Sequence, residues 1–352
     1  MRNMVHVNFI FRTENSNPFL MKQLFTLLML AAVFPLVYGQ DSIPEEPGPG
    51  LVSAKIYTHF NYSLDPDNNP ATTFEVKRAY FGYKRELDKH VSAEVKLDIG
   101  SVDDDSDFAL IRRYTYFKNA YLSYSTGNIK TWFGLMDMLQ FKVQEKFWGY
   151  RYIYRSYMDE YRFGSSADLG AGIQYSPSKK VTTDLVLSNG EGYKSLQFDD
   201  VYRLGAGLTL YPTENLVLRG YYTIHTGEVH QMIFSGFLGY RYKKFRIGAE
   251  YNHQLNYNFN EDYDRFGYSI YSTYTLSDKW EIFARYDQLY SNILPEDEQP
   301  WNLGNDGSAI ISGIQFAPIQ FVNLSLNYQD WVEYAENGSS EPYLFLNIEI
   351  LF

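Results

Sequence analysis

The chain has 352 residues, no cysteine and a formal charge of −11, with 33 tyrosines and 25 phenylalanines. Mean hydropathy is −0.35, which excludes a body of helical membrane spans, each needing about 20 consecutive apolar residues. A strand wall that shows lipid only every second side chain accommodates both the aromatic excess and the low hydropathy, and a chain without cysteine fits an exported bacterial protein that needs no disulfides.

The one long apolar run lies near the start. Met21-Lys22-Gln23 leads into LFTLLMLAAVFPLV and then Tyr38-Gly39-Gln40. A basic n-region, an apolar h-region interrupted by Pro35, and small residues at Val37 and Gly39 form a secretory signal cut after Gly39. Residues 1–39 are therefore read as an N-terminal extension plus signal peptide, with 1–20 lying upstream of the signal's own methionine. The Pro/Gly-rich stretch 40–50 is a flexible leader. Residues 51–352 form one domain.

From Leu51 onward, alternating segments of about ten residues are each followed by a turn. Leu216, Leu218, Tyr222 and Ile224 alternate with Arg219, Tyr221, Thr223 and His225. Phe245, Ile247, Ala249 and Tyr251 do the same against Arg246, Gly248, Glu250 and Asn252. Successive strand side chains point to opposite faces, so every such segment has an apolar and a polar side. The spans are 51–62, 73–85, 91–99, 114–125, 128–138, 167–177, 180–189, 201–211, 214–225, 229–242, 244–255, 264–276, 279–290, 308–317, 320–331 and 342–352. Every second connection is a short turn, such as Thr126-Gly127-Asn128 or Ser277-Asp278-Lys279, and the alternate ones, such as 139–166 and 291–307, are mostly longer.

An even number of amphipathic strands with short turns on one side predicts an all-β fold: a transmembrane antiparallel β-barrel of about 16 strands. Its place is the outer membrane of a Gram-negative bacterium, in contact with outer-membrane lipid and lipopolysaccharide. The long connections carry acidic clusters at 65–69, 103–107, 260–264 and 295–299 and at Glu333, Glu336 and Glu341. Solvation explains each cluster singly; together they can share divalent cations with lipopolysaccharide phosphates. The last strand alternates strictly and stops at Phe352, an ending that resembles the signal read by the barrel-assembly machinery.

The third long connection, 139–166, is dense in rings and cations. Lys142, Lys146, Arg151, Arg155 and Arg162 outnumber Glu145, Asp159 and Glu160, and Phe147, Trp148, Tyr150, Tyr152, Tyr154, Tyr157 and Tyr161 demand burial. Long structureless loops in compact proteins are usually functional. The expectation is that this third extracellular loop folds into the pore and lines a constriction with cations suited to oxyanions. The alternative is a loop packed outside, or at a subunit interface, with its charges paired among themselves.

Polar strand faces add Lys96, Lys130, Arg203, Arg219, Arg246 and Arg285, interleaved with Glu94, Asp98, Asp184, Glu250, Glu281 and Asp287. Charges facing lipid cost about 2–4 kcal/mol at the midplane, so these belong to a watery pore wall; both signs are present, so adjacent strands can pair them across the wall instead of leaving a pure anion field, and selectivity stays open. The six histidines form no metal-ligand spacing, and no HExxH, G-x-S-x-G or phosphate-binding loop is present. No enzymatic activity, cofactor, metal or nucleic-acid partner is expected, although barrel enzymes can assemble a serine and a histidine across strands without a local motif.

The runs KRAYFGYKRELDKHVSAEVKLDIG (77–100), KNAYLSY (118–124) and QFKVQEKFWGYRYI (140–153) resemble porins of the phosphate-selective O and P type, closest to Bacteroidetes-type members. The likeness covers the mature chain in layout and residues 73–165 in wording. It implies a sixteen-stranded, usually trimeric porin with an inward third loop and anion preference, without placing a ladder of cations residue by residue. The functional expectation is passive diffusion of small hydrophilic solutes or small anions. The alternative is a closed barrel whose extracellular loops act as an adhesin or surface receptor.

Overall fold

The computed structural model describes residues 49–68, 71–100, 114–292, 306–333 and 340–352. The predicted signal, most of the leader, the acidic clusters at 103–107 and 295–299, and Glu336 lie outside these residues.

Each alternating segment forms one strand. In chain order they are β1 (Leu51–Ser63), β2 (Thr72–Glu86), β3 (Val91–Gly100), β4 (Tyr114–Thr126) and β5 (Ile129–Asp137). Then come β6 (Ala167–Ser178), β7 (Val181–Ser188), β8 (Arg203–Thr213), β9 (Leu216–His225), β10 (Gln231–Tyr242) and β11 (Phe245–Leu255). The last are β12 (Arg265–Ser277), β13 (Trp280–Ser291), β14 (Gly307–Ile319), β15 (Val322–Glu333) and β16 (Tyr343–Leu351). Every predicted span matches its strand to within two residues at each end.

All sixteen pair antiparallel with their sequence neighbours, and β16 closes on β1, from Lys55 opposite Leu351 to Ser63 opposite Tyr343. Closure leaves no unpaired edge, which lipid could not hydrate.

The short turns follow local chemistry. Six of the seven contain two residues, and the β2–β3 turn contains four. In that longer turn Asp88 accepts from the amides of His90 and Val91, both at 2.6 Å, an Asx-type closure. Pro177, Pro212 and Pro318 each stand where the ladder register shifts beside a turn; proline has no amide to donate, so the pairing skips it.

The two strand faces divide as the alternation predicts. Phe81, Phe133, Leu185, Leu238, Ile270 and Leu326 are exposed outward, and Tyr83, Tyr175, Tyr211, Tyr242 and Trp280 ring the wall near the short turns. An apolar belt edged by aromatics is the lipid-facing surface of a barrel. The inner face carries the charges, but it is not uniformly polar: Val217, Phe237, Tyr271, Phe283 and Ile311 form one buried apolar sector.

Gly134 shows how tightly the wall is drawn. Its φ is +120°, and a Cβ there would lie 2.5 Å from the Ala120 carbonyl oxygen. Gly134→Ala is therefore expected to lower stability by about 1–3 kcal/mol, the range for a residue held in a sparsely populated backbone region. Urea-dependent loss of the heat-modifiable folded form measures it.

Candidate pore constriction

The connection from β5 to β6 contains two short helices, α1 (Lys142–Trp148) and α2 (Tyr157–Glu160). Gly149 ends α1 in the left-handed region at φ 81°, its amide bonded to Glu145 O, and turns the chain so that the rings that follow point at the wall. Trp148, Tyr150, Tyr152 and Ile153 pack against the apolar inner sector. Trp148 meets Tyr271 at 5.0 Å and Tyr150 meets Phe283 at 4.6 Å between ring centroids. A second cluster joins Phe141, Tyr157, Met158, Tyr161 and Phe163 to Ile233 and Leu289.

Buried phenols need acceptors. Tyr152 donates to Gln315 Oε1 at 2.8 Å, Tyr157 to Gln288 O at 2.8 Å, Tyr161 to Asp287 Oδ2 at 3.0 Å, and Tyr150 to the Glu281 carboxylate.

An irregular segment also leaves carbonyls without ladder partners, and wall cations satisfy them. Arg219 Nη2 donates to Leu139 O at 2.8 Å, Arg265 Nη2 to Arg162 O at 2.8 Å, and Arg285 Nη1 to Arg155 O at 2.7 Å. Lys77 Nζ reaches Ile153 O at 3.1 Å from β2. Asn347 of β16 donates to Tyr152 O at 3.4 Å. The segment thus touches inner-face residues on opposite sides of the ring.

On the β1–β6 side its cations form ion pairs. Lys142 lies 3.2 Å from both Asp137 and Glu145, Arg155 lies 3.2 Å from Glu160, and Arg151 bridges Glu145 and Asp159. Burial works to raise both of these carboxyls, but Arg151 overrides it, holding Asp159 at about 2 and Glu145 below its ordinary range.

Two cavities flank the Arg151 cluster. One of 280 Å³ lies toward the short-turn end beside Lys55, Tyr80, Lys96, Lys118 and Phe352. The other, of 440 Å³, lies beside Arg78, Arg162, Tyr193, Lys194 and Arg203. Ser166 lines both.

No family profile matches this chain, and no curated protein matches it. Solved structures do. The outer-membrane channel DcaP of Acinetobacter baumannii superposes with a TM-score of 0.63 at 11% identity, covering 86% of this chain and 97% of that one. Salmonella typhi OmpF in complex with daunomycin gives 0.65 at 10% identity, over 86% and 97%. Pseudomonas putida OprB gives 0.60 at 9%, over 86% and 94%.

This chain is an outer-membrane β-barrel. Its closed ring of strands and apolar outer belt belong in the outer membrane of a Gram-negative bacterium.

The predicted wall cations take different positions in this barrel. Arg219 and Arg285 are buried against bidentate carboxylate partners, Asp184 at 2.9 and 3.0 Å and Asp287 at 2.7 and 2.6 Å. Arg246 sits 3.8 Å from Glu281 and donates to Thr273 Oγ1. Lys96 pairs with Glu94 at 2.6 Å, and Lys130 lies over the Trp132 ring at 4.8 Å. Arg203 is 1% exposed beside the larger cavity. Among the loop cations, Lys146 is exposed and makes no ion pair among the described residues, and Arg162 adopts φ 56° beside the larger cavity.

Sequence reasoning missed Lys77 and Lys118. The β1–β2 register skips Lys77 and the β3–β4 register skips Lys118, so each is the extra residue of a bulge. A bulge lets two successive side chains face one way. Lys118 is consequently buried beside the inward Asn119 instead of facing lipid; it is bonded to the Ser166 hydroxyl and lies 4.4 Å from the Tyr193 ring. Counted back from the outward Leu122, strict alternation assigns it to the outer face. Only its placement in KNAYLSY, a run singled out for its resemblance, marked the region.

Proposed function

We propose that the barrel is a porin through which small hydrophilic solutes diffuse passively, with a weak preference for anions. In this reading 139–166 folds into the lumen against the apolar inner sector and leaves an eccentric path that follows β1–β5 at the short-turn end and reaches β8–β11 beyond Ser166. The observation that carries it is the pair of cavities that share Ser166 on either side of the Arg151 cluster. Each is lined by five Lys or Arg side chains against two Asp or Glu, while Glu349, Glu94 and Asp98 just outside the linings pair Lys55, Lys96 and Arg78, which leaves a modest local excess of cations. Local rings of charge, more than total charge, set selectivity. Fold likeness to channels adds support of a general kind. The resemblance to phosphate-selective porins agrees in sign, but the interleaved carboxylates argue for a mild preference.

Planar-bilayer recording in a KCl gradient tests this. The barrel should conduct, with a reversal potential on the chloride side. Neutralising Lys142, Lys146, Arg151 and Arg155 together to glutamine leaves Asp137, Glu145, Asp159 and Glu160 uncompensated, so the reversal potential should move to the cation side. A folded, heat-modifiable protein that does not conduct excludes a channel and favours the closed adhesin or receptor. An unchanged reversal potential in the variant means that 139–166 does not line the path.

A further inference from the structure

The outer wall carries a feature that the pore does not use. Gly220 of β9 and Gly236 of β10 stand opposite each other in the ladder, both exposed on the outward face. A Cβ at either position would meet no atom within 4 Å. Glycine weakens a strand and often marks a close approach by another body. Here two adjacent glycines open a hollow of 620 Å³ bounded by Leu208, Leu218, Leu238 and Ile270. It continues into one of 480 Å³ between Tyr222 and Phe234, and the two share Gly220 and Gly236.

Depth and charge indicate what fills it. Gly236 is six residues before Tyr242, the last residue of β10. At about 3.3 Å per residue and a tilt of about 40°, the hollow lies roughly 15 Å above the strand end, near the middle of an apolar belt about 25 Å tall. At the foot of the same tilted strand pair the turn is Lys243-Lys244, both exposed, with Lys244 Nζ donating to Leu276 O at 3.3 Å. Lys243 Nζ lies 5.2 Å from the Tyr242 ring, and Tyr242 stacks with Tyr240 at 6.5 Å and 13°. Arg241 does not join this outward rim, since its guanidinium lies over the Phe147 ring of the β5–β6 connection. From the turn upward, one strand pair therefore presents two ammonium groups, an aromatic ledge, Leu238 and the hollow. Phosphate, glycerol and acyl chain follow one another in the same order in a phospholipid.

We propose that the outer wall over β8–β12 holds one anionic phospholipid of the periplasm-facing leaflet, with its phosphate at Lys243 and Lys244 and an acyl chain in the hollow over Gly220 and Gly236. Charge complementarity selects this occupant over a zwitterionic lipid, because clustered lysines at a membrane surface attract anionic headgroups. The site does not depend on the pore reading.

The test is native mass spectrometry of the purified, delipidated barrel titrated with dioleoyl-phosphatidylglycerol or dioleoyl-phosphatidylcholine. One phosphatidylglycerol should be retained at about thirtyfold lower lipid concentration than phosphatidylcholine, the effect of two lysines near a headgroup. Lys243→Gln with Lys244→Gln should erase that preference while weaker binding of both lipids persists. Gly220→Leu with Gly236→Leu should abolish retention of either lipid, and heat-modifiable migration checks that each variant is folded. If the glycine variant misfolds, the lysine variant decides alone. Equal retention by all proteins overturns the proposal. So does a hollow-filled variant that keeps its lipid but changes oligomeric state, which assigns the hollow to a second copy of the chain.

Discussion

Excision of residues 143–160, with the ends joined by a short Gly/Ser bridge, should raise single-channel conductance several-fold and remove most ion preference. A sixteen-stranded ring is wide enough for an aqueous channel, and in this barrel the side chains of 139–166 are what pack against its inner apolar sector. The wall itself should survive, since its ladder closes without the segment and Arg219 keeps Asp184 while Arg285 keeps Asp287. The variant should nonetheless unfold at lower denaturant. Burying a large apolar side chain contributes about 1.5–3 kcal/mol, and Trp148, Tyr150 and Tyr157 would all be gone. Conductance equal to that of the parent would place the flow-limiting element elsewhere and sink the proposed path.

The second large effect is on stability. Arg285→Met should cost about 3–5 kcal/mol, the range for breaking a buried pair from one side. Asp287 is fully buried, and its Oδ2 already accepts from Tyr161, so the orphaned carboxylate cannot turn to water without releasing the α2 region. Arg285 also holds the Arg155 carbonyl and lies 5.0 Å from the Trp148 ring, so the loss should reach the proposed constriction. Adding Asp287→Asn to Arg285→Met should recover much of the difference, because removing both charges eliminates the uncompensated one. Urea titration of the folded, slow-migrating form reads each variant. A loss below about 1 kcal/mol, the scale of an exposed pair, would show that water reaches Asp287 and that the segment does not cover it.

Strand count, strand ends and sidedness were legible because the chain obeys a period of two nearly everywhere, and one face must meet lipid. Leu238, Ile270 and Leu326 announce that face without any neighbour's help. The need to bury the rings of 139–166 was legible for the same reason, as composition alone shows an apolar load too large for solvent.

What each charge does was not legible. Asp287 stands two residues from Arg285 on the same strand face, but folding alone brings Asp184 to Arg219 and the carbonyls of the β5–β6 connection to both arginines. Those partners are distant in sequence, most of them by more than 30 residues. Nor can a two-residue period reveal its own interruption. Lys77 and Lys118 turn inward only because the register with the neighbouring strand slips by one residue at each. Pairing between strands sets that slip, so the sequence alone determined the barrel and its lipid-facing belt, while tertiary structure decided which cations reach the proposed path and which are locked to carboxylates and loop carbonyls.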